Sequence, residues 1–283
     1  MNRLELDEQW SYVHTHKERL SKKEKQIDPK KGDCWLWAAL DADSKAIVSW
    51  HVGKRRKHHA DSFVSDIADR IDGQVQITTD SLSSYHSSIR TAFGNRAAHV
   101  TEEKKFGKET GTSAGHEWMK YGVDKLLMVE RKAISGAPDL SSATTSHVER
   151  YFLTMRQGNK RTARKTLAYS KDWENHRLTT SLHIFIYNMC RKHESLKCTP
   201  AEKLGVIAKA WKLDDVVDMT DRYLKRKEDE AFEAEFAKQF GTDPKPRLTW
   251  EPEEPKTPWY LDPESGGRNP AVKKEGVQYP DEN

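Results

Sequence analysis

The sequence predicts an α/β fold, a mixed five-stranded sheet flanked by helices, followed by a helical C-terminal part and a disordered acidic tail. Three observations lead there. Strand-like and helix-like segments alternate through the first hundred residues, and apolar residues recur at spacing four in the helical ones. Eight of the eleven prolines lie between Pro244 and Pro280, in a stretch with too little apolar surface to offset its ordering entropy.

The segment LELDEQWSYVHT, from Leu4, reads as a first strand. CWLWAALDA and AIVSWHVG read as two more, with Asp41, Ala42 and Asp43 as the turn between them, so an antiparallel meander follows. In ADSFVSDIADRI, residues 60–71, Phe63, Ile67 and Ile71 share one helical face. Val75–Thr79 is a β-branched strand running into Asp80, Ser84–Phe93 a helix, and AAHV a short fifth strand. Strand, strand, strand, helix, strand, helix, strand is the ribonuclease-H-like order, in which the first strand lies centrally beside the fourth.

At 283 residues with 35% hydrophobic side chains, the chain is long enough to bury a core. No apolar run approaches the ~20 residues of a transmembrane helix, and the first 31 residues do not read as a signal peptide. An intracellular protein is the expectation. Cys34, Cys190 and Cys198 form no C-x-x-C pair, which argues against a disulfide framework or a cysteine zinc site. Residues 228–283 carry 14 acidic against 7 basic side chains, leaving residues 1–227 with 41 basic against 30 acidic, a net of +11. A basic body suits a polyanionic partner, although solubility alone also accounts for such charge. In EDEAFEAEFAKQF, Phe232, Phe236 and Phe240 form one stripe of an amphipathic helix. The divisions expected are 1–215, 216–240 as that helix, and 241–283 as the flexible proline-rich tail.

The chemistry rests on Asp7, Asp80 and Glu149. If the first and fourth strands are neighbours, Asp7 and Asp80 approach one another across 73 residues of sequence. Two carboxylates so placed repel, and one takes up a proton unless a divalent cation sits between them. Oxygen ligands favour Mg²⁺ or Mn²⁺, and in two-metal phosphoryl transfer the ions lie ~3.5–4 Å apart. Each acid has a plainer reading. Asp7 could be an ordinary strand residue, with Glu8 serving instead; Asp80 could cap the following helix. Ser146, His147, Val148 and Glu149 spell S-x-x-E, a capping box. Arg156, seven residues after Glu149, returns to nearly the same helical face, and Lys160, Arg161, Arg164 and Lys165 continue the positive charge. The GKRRKHH segment adds Lys54, Arg55, Arg56 and Lys57. His147 either touches a phosphate or is hydrogen-bonded locally. Tyr187, Asn188 and Arg191 are expected as structural supports, and Thr199 to Glu202 as a helix opening with proline at its first position.

In matching order, LDEQWSYV, WLWAALDADSKAIVSWHVGKR, TTDSLSSY, SHVERYFLTMR and RTARKTLAYSK resemble the catalytic region of DDE transposases of the insertion-sequence-one type. YNMCRKHESLKCTPAE is similar to the Y-N-x-x-R-x-H-x-x-L-x-x-T-P-A element of several transposase and integrase cores. The resemblance spans roughly residues 5–215. It implies a ribonuclease-H-like fold, two Mg²⁺ (or Mn²⁺) ions, the triad Asp7, Asp80 and Glu149, Arg156 at the basic position, and Lys54, Arg55, Arg56 and Lys57 gripping flanking DNA backbone. The implied reaction is cleavage at an element's 3′ end followed by strand transfer, with DNA as partner, at least a homodimer on it, and a bacterial cytoplasmic, nucleoid-associated setting. A ribonuclease-H-type nuclease and an inactive truncated DNA-binding remnant are the alternatives.

Relatives of this type carry an amino-terminal DNA-recognition region, whereas here only six residues precede Asp7. An upstream frame joined by frameshift, or truncation, is the expectation. Thr101 to Thr145, rich in Lys, Gly and Ser, is expected to be a long connection that orders on DNA.

Overall fold

The computed structural model describes residues 1–107 and 125–240. The tail expected at 241–283, and the middle of the Thr101–Thr145 connection, lie outside the described residues. The sheet contains six strands, not five: β1 Arg3–Val13, β2 Gly32–Asp41, β3 Ile47–Gly53, β4 Val75–Thr79, β5 Ala97–Gly107 and β6 Lys125–Ser135, in the order β3-β2-β1-β4-β5-β6. Antiparallel pairing joins β1 to β2, β2 to β3 and β5 to β6, and parallel pairing joins β1 to β4 and β4 to β5. The correction concerns β5 and β6. The fifth strand runs on from AAHV to Gly107, and β6 returns along it through part of the stretch read as a connection. Leu126, Leu127, Met128 and Val129 of β6 are exposed, so no buried face announces the strand in its neighbourhood.

The helices are α1 Lys22–Ile27, α2 Lys57–Arg70, α3 Ser83–Phe93, α4 Ser146–Gly158, α5 Trp173–Phe185, α6 Pro200–Leu204 and α7 Leu213–Phe240, with a π-helical turn at Ile186–Cys190. Period-two alternation sorts the central strands between two cores. Leu4, Leu6, Trp37, Ala39 and Ile77 pack against Phe63 and Ile67 of α2 and Tyr85 and Ile89 of α3. On the other face Val13, Leu36, Ala38 and Leu40 meet Val148, Tyr151 and Met155 of α4 and Ile184 of α5. Each such side chain, fully buried, contributes about 1.5–3 kcal/mol, enough in sum to fix which helix covers which face.

As expected, Asn188 and Tyr187 are structural. The Asn188 amide donates to Ile47 O at 2.9 Å and accepts from Ile47 N at 3.0 Å, extending the β3 edge, while the Tyr187 hydroxyl donates to Lys45 O. The capping box at Thr199 and Glu202, with Pro200 opening α6, is also present. Met1–Ala210 forms one compact unit and a second begins at Trp211, which contains α7. That 28-residue helix starts three residues before the expected boundary at 216 and extends well N-terminal of the phenylalanine stripe. Among the described residues no helix is long and apolar enough to cross a membrane.

Candidate metal centre

Register decides the first half of the site. In the parallel β1–β4 pair, Arg3 lies opposite Gln76 and Leu6 opposite Thr79. The next step along that register sets Asp7 beside Asp80, just past the end of β4. Glu8 follows Asp7 on β1, and one oxygen from each of Asp7, Glu8 and Asp80 lies within 4.8 Å of the other two. Asp80 does not cap α3, whose N-cap is Leu82. It closes a local turn, its Oδ1 accepting from Leu82 N at 3.0 Å, while Asp7 Oδ1 accepts from Glu8 N at 2.7 Å.

Burial raises all three carboxyls, and repulsion from neighbouring acids adds to it at Asp7 and Glu8. Asp7 is pushed up to about 7, first by burial and then by Asp80, with a smaller push from Glu149; the Glu8 amide and Arg55 oppose it. Glu8 is pushed up to about 8 by burial, Asp80 and Asp7, against the pull of Tyr85 and Arg55. Asp80 is raised by burial and held back by the Leu82 amide and Arg55. The Tyr85 hydroxyl approaches Glu8 electrostatically, yet neither it nor Glu8 Oε1 has a hydrogen-bond partner of good geometry. Hard oxygen donors alone, in a partly buried cluster whose carboxyls hold their protons more tightly than usual, suit a divalent cation such as Mg²⁺ or Mn²⁺. The residues therefore fit the group that the resemblance implies.

Arg55 supplies positive charge at this place. It bridges Glu8 Oε2 at 3.1 Å and Asp80 Oδ2 at 3.3 Å and lies over the Trp35 ring at 4.9 Å. Lys54 is not a free backbone-gripping side chain either: it donates to the carbonyls of Lys30, Lys31 and Asp33 and sits over Trp173. Lys57 pairs with Asp61, whereas Arg56 is exposed at the N-cap of α2.

Glu149 occupies the rim. Its Oε1 accepts from Lys104 Nζ at 2.5 Å and from the Thr145 hydroxyl at 2.8 Å, and it stands outside the Asp7–Glu8–Asp80 cluster, although its charge reaches Asp7. No capping box forms, because the N-cap of α4 is Thr145 and its side chain caps nothing. Two buried glutamates do that work from other strands. Glu5 of β1 accepts from the backbone amides of His147 at 2.8 Å and Val148 at 3.1 Å, and its other oxygen bonds His147 Nδ1 at 2.5 Å. Glu102 of β5 accepts from Thr145 N at 3.1 Å. Carboxylates at a helix N-terminus satisfy orphan amides and complement the dipole. Their presence releases Glu149 from the amide-capping duty that its position in S-x-x-E suggests.

Sequence reading missed Glu5, Glu102 and Lys104. Glu5 carried one signal, a charge set between Leu4 and Leu6; the other two carried none, since only the fold brings β5 to α4. Glu8 was visible as a neighbour of Asp7 and proves to be the third member of the cluster. The His147 ring is not hydrogen-bonded locally: its Nδ1 meets Glu5 of β1, 142 residues away in sequence. Arg156, half-buried, has a buried Nε without a partner and feels both Asp7 and Arg164. Among the described residues Lys160, Arg161, Arg164 and Lys165 form no ion pair. Compared with known proteins, the chain matches neither a family model nor a curated protein.

Proposed function

We propose that this chain is a cation-dependent phosphodiester-cutting enzyme acting on DNA, with a ribonuclease-H-like core, and that it is the catalytic region of a DDE transposase of the insertion-sequence-one type. The observation that carries the reading is the β1–β4 register, which sets Asp7 and Asp80 side by side with the buried Glu8, in a carboxylate cluster of the kind that could hold a cation. Asp7, Glu8 and Asp80 would hold the metal. Bound there, Mg²⁺ would supply Lewis-acid charge for attack on a phosphodiester. Arg156, whose charge interacts with that of Asp7, would be suited to a phosphate oxygen. Glu149, carried on the same helix, is the third acid of the proposed set, kept close by Lys104 until DNA competes for that lysine. Lys160, Arg161, Arg164 and Lys165, which form no ion pair among the described residues, would hold backbone without reading sequence. Two-ended chemistry implies at least a homodimer on DNA.

The test is nicking of supercoiled DNA and joining of a pre-cleaved 3′-hydroxyl end to a second duplex, with Mg²⁺ and without it. Wild type should do both with the cation, and Asp80→Asn should lose at least ~100-fold of each, since the metal's charge stabilisation is worth several kcal/mol. Nicking without joining would make the chain a ribonuclease-H-type nuclease. Equal activity of wild type and Asp80→Asn would leave a DNA-binding remnant.

A further inference from the structure

A cavity of about 720 Å³ opens between the C-terminal end of α4, the segment after it and α5, within the range of pockets that enclose small organic groups. Its lining divides into two kinds. Tyr169, Leu167, Leu182 and Ile186 offer aromatic and apolar surface, and Leu167 and Leu182 are exposed. Lys160, Arg161 and Lys171 offer positive charge, and among the described residues none of the three forms an ion pair. The acid in the lining, Asp172, is already engaged, since its Oδ1 accepts from Asn175 N at 2.9 Å as the cap of α5. His183 also lines the cavity, and its buried Nε2 has no hydrogen-bond partner.

Gly158 lines the cavity beside His183. A Cβ there would lie 2.5 Å from His183 Cε1, so any larger residue displaces the imidazole. The walls are tied to the strand that carries Asp7. Ser11 on β1 bonds His176 Nε2 of α5 at 3.1 Å, His176 Nδ1 bonds Ser170 at 2.8 Å, and Ser170 pairs with Val13. Tyr169 stacks on Tyr12 of β1 at 5.5 Å. Along α4, Gly158 stands nine residues from Glu149, ~13.5 Å at ~1.5 Å per residue, about four base steps of a DNA strand at ~3.4 Å each.

We propose that this cavity is a subsite for one nucleotide unstacked from the DNA strand, its base against Tyr169, Leu182 and His183 and its phosphates on Lys160, Arg161 and Lys171. This rests on the DNA-cutting reading above and adds to it a place for an unpaired base. A flat, apolar ring system with a polar edge and an attached polyanion is the chemistry that satisfies both halves of the lining. A paired base cannot enter a concave pocket, so the ligand is single-stranded or drawn out of the duplex.

The test uses the full chain in EDTA, so that no cutting occurs, with a single-stranded DNA oligonucleotide carrying 2-aminopurine, the blunt duplex of the same sequence, the matching RNA and the free mononucleotide. Wild type should quench 2-aminopurine fluorescence and prefer the single strand to the duplex. Leu182→Trp and Thr179→Trp, which fill the cavity from α5, should weaken the single strand by about tenfold and leave the duplex within about twofold. Gly158→Ala should act in the same direction. Unchanged single-strand affinity in both tryptophan variants, or equal loss for single strand and duplex, overturns the subsite. Tighter hold on the RNA, or on the mononucleotide alone, overturns the DNA assignment. Mg²⁺-dependent nicking is read separately. Nicking without a strand preference overturns the subsite and spares the enzyme, whereas the preference without nicking overturns the enzyme and spares the subsite.

Discussion

Asp7, Glu8 and Asp80 illustrate how far single residues speak for themselves. Two were singled out because each ends or interrupts a strand-like segment, and Glu8 stood beside one of them. That they share a pocket follows from register, which no residue states. Their chemistry yields a signed pH dependence. In the unfolded chain such carboxyls ionise near 4, whereas in the fold Asp7 and Glu8 keep protons up to about 7 and about 8. Between those limits the folded state binds more protons, so the contribution of this pair to stability falls as pH rises. In cation-free buffer, Glu8→Gln should therefore shift Tm more favourably, relative to wild type, at about pH 8 than at about pH 5. Equal shifts at both values would show that Glu8 is ionised throughout. By the same linkage Mg²⁺ must displace protons, and its affinity should rise by up to about tenfold per pH unit for each proton released between about pH 6 and pH 7. Calorimetry in buffers of different ionisation enthalpy counts those protons, and a count of zero would remove the cluster as the binding site.

At the level of elements, α4 is the instructive case. Its sequence predicted a helix with its own capping box, and the helix is there, but its first amides are satisfied by Glu5 and Glu102 from two different strands. Such bonds orient α4 over the sheet as well as stabilise it. Glu5→Ala should cost about 1–3 kcal/mol, the penalty for leaving buried donors unsatisfied, seen as a lower urea midpoint at constant slope. It should also reduce nicking beyond the loss of folded protein, because Glu149 and Arg156 ride on the same helix. Loss of stability with specific activity intact would assign Glu5 a purely structural part. The strand β6 marks the opposite failure. Its apolar run LLMV has β character, yet its setting of Lys, Gly and Ser suggested a connection, and an exposed edge strand provides no alternation to correct that impression. After α4, the cations at Lys160, Arg161, Arg164 and Lys165 should each add up to about 0.9 to the slope of log affinity for duplex DNA against log salt. Arg164→Ala should lower that slope accordingly, and an unchanged slope would place the residue away from phosphate.

For the whole molecule, charge and composition were legible before any fold was known: a basic body of +11 and an acidic C-terminal part of −7 follow from counting. The division at Ala210 and Trp211 was not, because it depends on which segments touch. A chain ending at Ala210 should unfold cooperatively on its own, with a Tm close to that of the full protein, since both cores lie within residues 1–210. A broad, non-cooperative transition would show that the later residues are needed for the body to fold.

From its sequence alone this protein has its alternation of strands and helices, the seats of Asp7, Asp80 and Glu149 on separate elements, and the basic stretch after α4, because hydrophobic period and charge are local properties of the chain. Only tertiary structure decided that Glu8 joins Asp7 and Asp80, that Glu149 rests on Lys104, that Arg55 faces carboxylates, and that Glu5 and Glu102 cap α4. Those pairings arise from register and packing between segments distant in sequence, and proximity of that kind is written in no single segment.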